Sequence, residues 1–111
     1  EVDAYIADPM CGDDLPLTYA YVAGMMTLIR DSMSPDGVAR TPAGIPVLLV
    51  TGSMDPVSNK GEQVRLLESG LRDAGAEVRS IFYPDARHEI LNETNRDEVT
   101  ADIIEWITSV I

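Results

Sequence analysis

At 111 residues, 45% of them hydrophobic, the chain has enough apolar material for one packed domain and too much for intrinsic disorder. A net charge of −11 and a pI near 4.2 argue against nucleic acid and against an anionic membrane surface as partners, since both need a basic patch. One cysteine, Cys11, rules out an intrachain disulfide, so a cytoplasmic location is the default expectation, and no apolar run approaches the ~20 residues of an integral membrane segment.

Residues 1–16 show no clear period and are punctuated by Asp8-Pro9, Gly12-Asp13-Asp14 and Pro16, which reads as loop with at most one short turn. From Leu17 to Met33 the residues Tyr21, Val22, Met25, Met26, Leu28, Ile29 and Met33 recur at three- and four-residue steps, the stripe of an amphipathic helix. Ser34-Pro35-Asp36-Gly37 stops it, and a loop to Gly44 leads into an apolar strand, Val47 to Val50, expected to be buried on both faces. Asn59 reads as the cap of a second helix, with Glu62 closing a capping box, Val64, Leu67, Leu71 and Ala74 facing inward, and Gly75 as a left-handed stop. Val78 to Tyr83 reads as a second strand, and a strand-helix-strand unit of this length closes as a right-handed parallel crossover. Thr94 and Asn95 then offer caps for a final helix from about Arg96 to Val110, with Val99, Ile103, Trp106, Ile107 and Val110 as its buried stripe.

The pattern gives an α/β class, a three-layer sandwich with two parallel strands and about three helices. Two strands are marginal alone, so the chain is expected to be the carboxyl-terminal portion of a larger protein. In such sheets chemistry gathers beyond the carboxyl ends of the strands. The first strand runs through Thr51, Gly52 and Ser53 to deliver Asp55 there, and the second ends in Pro84-Asp85-Ala86-Arg87-His88, where His88 is the only histidine. A lone loop histidine is ordinarily just solvated, and Asp-Pro ordinarily just starts a turn. Together, a carboxylate and an imidazole leaving one sheet edge supply the acid and base of a hydrolytic triad.

The run Gly52-Ser53-Met54-Asp55-Pro56-Val57-Ser58, the helix after it, Arg79-Ser80-Ile81-Phe82-Tyr83-Pro84 and Arg87-His88-Glu89-Ile90-Leu91-Asn92-Glu93 resemble the end of an α/β-hydrolase. Within that superfamily they are most similar to the monoacylglycerol lipase, lysophospholipase and serine aminopeptidase group. Tyr5 to Cys11 resembles the point where that group's chain returns from its lid. The resemblance implies a C-terminal fragment of the α/β-hydrolase fold over residues 1–111, with 1–44 the end of the lid region and a helix, and 45–111 the strand-helix-strand-helix segment. It assigns Asp55 as the triad acid and His88 as its base. The group commonly carries glycine ahead of the Ala-Arg-His step, where this chain has Asp85.

No serine of the chain stands in a Gly-x-Ser-x-Gly elbow, so the nucleophile and the oxyanion-hole amides are expected upstream. Cys11 is a poor substitute, lying in a loop ahead of Asp13 and Asp14 rather than in an electropositive setting. One histidine with scattered carboxylates has no metal-ligand spacing, and no phosphate loop or dinucleotide fingerprint occurs, so neither metal nor cofactor is expected. The partners implied are a small-molecule ester or lipid substrate and either the missing amino-terminal part of the same protein or a second copy. Two alternatives stay open: a non-catalytic α/β interaction domain, and a hydrolase with an upstream aspartate nucleophile of the epoxide hydrolase or dehalogenase type.

Overall fold

The computed structural model describes residues 2–10 and 17–111, which fall into two compact units, 1–31 and 32–111. Helix α1 spans Val2–Ala7, where a loop was expected. Six residues are too few to display a helical period, so the sequence pattern was blind to it; Asp8 ends it, its side-chain oxygen accepting the Met10 amide at 2.8 Å. Helix α2 spans Tyr19–Met33, as its period predicts, but none of its residues is buried. The expected core stripe is instead exposed apolar surface, including Tyr21, Met26, Leu28 and Met33, because a unit of this size has too little surface to enclose a helix.

The larger unit opens with a four-residue helix, α3 (Pro35–Val38). Ser-Pro here is a start signal as well as a stop: proline takes the first helical position, and the Ser34 hydroxyl accepts the Gly37 amide at 3.0 Å. Strands β1 (Pro46–Gly52) and β2 (Glu77–Tyr83) follow, joined through helix α4 (Glu62–Asp73). They pair in parallel from Pro46 opposite Glu77 to Gly52 opposite Tyr83. Helix α5 (Arg96–Val110) closes the described chain behind a short 3-10 turn at Ile90–Asn92.

Alternation along the strands builds three layers. Val47, Leu49 and Val78 point to one face, where they pack with Leu67 and Leu71 of α4, Ala76, and Val38 of α3. Val50, Ile81 and Tyr83 point to the other and meet Val99 and Ile103 of α5 together with Ala86 and Ile90. Val99 is the pivot of the second face at 0% exposure. The middle of β1 is only half-buried, rather than enclosed, since the described sheet gives it one neighbour. The last turns of α5 are likewise open, with Ile107 and Val110 exposed.

Helix ends follow local chemistry, with two departures from expectation. Gly75 stops α4 as predicted: at φ +90° it lets the Gly75 and Ala76 amides donate to the Arg72 and Leu71 carbonyls at 2.9 and 3.0 Å. The capping box from Asn59 does not form. Asn59, Lys60 and Gly61 all take positive φ, at 50°, 56° and 85°, so α4 cannot begin before Glu62. Ser58 caps this turn instead, its hydroxyl accepting the Gly61 amide at 3.1 Å. Asn95 starts α5 but its side-chain amide donates to Glu98 at 3.4 Å rather than accepting a backbone N–H. No helix among the described residues is long and apolar enough to cross a membrane.

Candidate active site

Because the register ends both strands together, the loops after Gly52 and Tyr83 leave the sheet side by side. Three hydrogen bonds join the first loop to the end of β2 and to the loop that follows it. The Ser53 and Met54 amides donate to the Tyr83 and Ala86 carbonyls, both at 2.9 Å, and the Asp85 amide donates back to the Ser53 hydroxyl at 2.9 Å. Gly52 makes the approach possible: a Cβ there would overlap the carbonyl groups of Ala86 and Arg87. The absence of a side chain is therefore a requirement of the second loop's path, not of the first loop's own dihedrals.

Asp55 stands three residues beyond β1 and is 4% exposed. Its Oδ1 accepts the Val57 amide at 2.9 Å and its Oδ2 the Ser58 amide at 3.2 Å, while its carbonyl takes the Lys60 amide at 2.7 Å. The left-handed run at Asn59 to Gly61 is what folds the chain back for these bonds. Burial by itself pushes the Asp55 carboxyl up, but hydrogen bonding from Ser58 and Val57 and the approach of His88 outweigh it and hold the group below its ordinary 3.8. It is a fixed, buried anion.

His88 stands five residues beyond β2. Its Nδ1 lies 3.2 Å from Asp55 Oδ1, at the outer side of hydrogen-bonding range, and its side chain is 55% exposed. The residues before it are tightly placed. Asp85, in the position where the related group commonly has glycine, adopts φ +59°, the left-handed conformation that glycine takes freely and aspartate tolerates. Ala86 is buried against Tyr83 and Val99. On the other side, Glu93 Oε1 accepts both the Arg87 amide at 3.0 Å and Arg87 Nε at 2.8 Å. Arg87 thereby holds the Glu93 carboxyl below the usual range.

A buried carboxylate at Nδ1 of a half-exposed imidazole leaves Nε2 as the nitrogen available for proton transfer, the geometry a general base requires. Among the described residues no group of three His, Cys, Asp or Glu side chains gathers into a metal-binding arrangement. Cys11, weighed above as a thiol nucleophile, lies outside the described residues.

The family model described as serine aminopeptidase, S33, matches residues 1–95. The chain belongs to the serine aminopeptidase S33 family. Its layered parallel sheet is part of an α/β-hydrolase fold, and it superposes with a TM-score of 0.90, at 28% identity, on the crystal structure of a highly thermostable carboxyl esterase from Bacillus coagulans in complex with glycerol. That superposition covers 98% of this chain and 36% of the esterase, so the chain spans about a third of the esterase's length. None of the curated proteins compared with the chain matches it.

Within this S33 family chain, the two residues singled out from sequence, Asp55 and His88, do come together. The supporting residues Gly52, Ser53, Ser58 and Glu93 were not singled out for this. Gly52 was readable as a glycine at a strand's carboxyl end. Ser53 pairs with Asp85 across 32 residues, which no local pattern signals, whereas Ser58 and Glu93 lie three and six residues from their partners Asp55 and Arg87.

Proposed function

We propose that Asp55 and His88 are the acid and base of a Ser-His-Asp triad in a carboxylic ester hydrolase that acts on lysophospholipids or monoacylglycerols, with its nucleophile in a Gly-x-Ser-x-Gly elbow encoded upstream. The observation that carries this reading is the 3.2 Å approach of His88 Nδ1 to a buried, doubly hydrogen-bonded carboxylate. The structural likeness to a carboxyl esterase supports an ester as substrate.

In this mechanism His88 Nε2 takes the proton of the serine hydroxyl as it attacks the ester carbonyl, then gives it to the departing alcohol. Asp55 keeps the imidazole in the Nδ1–H tautomer and stabilises the imidazolium that forms. Its lowered pKa suits that role, since a carboxylate already occupied by two amides orients the base rather than competing for its proton.

Steady-state kinetics of the full-length protein provide the test. His88→Ala is expected to lower kcat/KM by on the order of 10⁴- to 10⁶-fold, and Asp55→Asn by somewhat less, because a misoriented base is still present. A folded His88→Ala enzyme keeping more than about a tenth of wild-type kcat/KM overturns the assignment, since general-base catalysis alone contributes at least ~10²-fold. The chain of residues 1–111 by itself is expected to hydrolyse no p-nitrophenyl ester above background, having neither nucleophile nor oxyanion hole.

A further inference from the structure

The imidazole of His88 depends on where its backbone is held, and the chain around it is anchored at two points. Ahead of it, the Ala86 carbonyl accepts the Met54 amide at 2.9 Å, which ties this loop to the acid-bearing one. Directly before it, Arg87 is gripped by Glu93, which stands at the far end of the 3-10 turn. One oxygen of Glu93 takes both the Arg87 amide and Nε, at 3.0 and 2.8 Å, and the other receives Nη2 at 3.5 Å. Glu93 is itself set in place: its carbonyl accepts the Arg96 amide at 3.2 Å as α5 begins, and its side chain is only 12% exposed. An ion pair with an exposed arginine contributes little by itself. The bond to a main-chain amide is different, because it holds the Ala86-Arg87 peptide, one residue before His88, from the side opposite to the Met54 bond.

We propose that Glu93 is a positioning residue for His88: by bracketing the Arg87 amide and guanidinium, its carboxylate closes the 87–93 loop and fixes the backbone from which the imidazole reaches Asp55. The proposal rests on the triad reading above and adds to it a residue that touches neither substrate nor imidazole. A displacement of about 1 Å at a reacting group costs on the order of 10²-fold in rate, so losing the bracket lowers turnover while substrate binding is left alone.

The test is a set of variants of the full-length enzyme assayed on a p-nitrophenyl ester. Glu93→Ala is expected to lower kcat by ~10- to 100-fold with KM changed by less than about threefold. Glu93→Gln, which retains an acceptor for the Arg87 amide, stays within about threefold of wild type, whereas Glu93→Asp, a methylene too short to span the gap, does not. If Glu93→Ala fails to fold, the contrast between Gln and Asp carries the test. In an Asp55→Asn background the Glu93→Ala effect shrinks to less than about threefold, since the geometry it protects has no partner left. An equal loss in both backgrounds, a loss expressed in KM, or a Gln variant as poor as Asp overturns the proposal. If Asp55→Asn and His88→Ala leave activity intact, the triad reading falls; if they abolish it and Glu93→Ala does not, only the positioning role falls.

Discussion

Gly52 concentrates the demands of the site into one missing methyl group. With alanine there, the carbonyls of Ala86 and Arg87 must move, and they belong to the backbone rather than to a flexible side chain. Overpacking of this kind costs about 1–3 kcal/mol, so Gly52→Ala should lower the urea midpoint of unfolding and, in the full-length enzyme, the turnover number as well. A variant as stable as wild type would mean that the second loop has slack the contacts do not suggest. Asp55 makes a separate prediction through pH. Its folded-state pKa lies below the ordinary 3.8, so the unfolded chain takes up its proton first as pH falls. Its contribution to stability is complete above pH 3.8 and is lost as pH drops through the folded value. Urea midpoints measured between about pH 6 and 2 should fall less steeply for Asp55→Asn than for wild type, since a neutral amide has no proton to gain.

At the level of elements, the end of β2 is held by α5 as well as by β1. The Tyr83 hydroxyl, on a residue 2% exposed, donates to Asp102 Oδ2 at 2.9 Å. Burial first, and then the neighbouring Asp102 carboxylate, pushes the Tyr83 phenol up to about 12. A raised pKa means that the unfolded chain loses its proton first on the alkaline side, so this stabilisation is whole below pH 10 and is lost as pH rises toward about 12. Tyr83→Phe should cost about 1–2 kcal/mol at neutral pH and show a shallower alkaline decline in chemical denaturation. The elements themselves were largely legible, because α4 and α5 are long enough to carry a period of 3.6 and β1 shows as a short unbroken apolar run bounded by turn residues. What escaped was short or non-local. The six residues of α1 and four of α3 display no period, and the cap of α4 failed because three consecutive positive-φ residues delay the helix, a backbone state that Asn-Lys-Gly does not advertise. For the site, Asp55 and His88 were visible as residue types at strand ends, whereas Ser53 and Glu93 meet their partners only once the loops are folded.

Each of the two units leaves apolar side chains exposed. Tyr19, Tyr21, Met26, Leu28 and Met33 of α2 are exposed, and so are Ile104 and Ile107 of α5. β1 has β2 as its single paired neighbour in the described sheet, so its other edge offers unpaired amides and carbonyls. Exposed apolar side chains and an open strand edge favour association, and the chain of residues 1–111 alone is expected to self-associate or to stay with the remainder of the hydrolase fold. Sedimentation velocity decides this: a sharp monomer boundary persisting to high concentration would contradict the expectation.

The stitching between the two site loops also supplies an observer that needs no substrate. The amides of Met54 and Asp85 are each protected from solvent exchange only while the opposite loop is docked, since each donates to an acceptor on it. Their deuterium uptake should therefore slow together, as one kinetic class, when the acid and base come into register, and should quicken together when they part. Two peptide protons would thus report the approach of Asp55 and His88 without any substrate present.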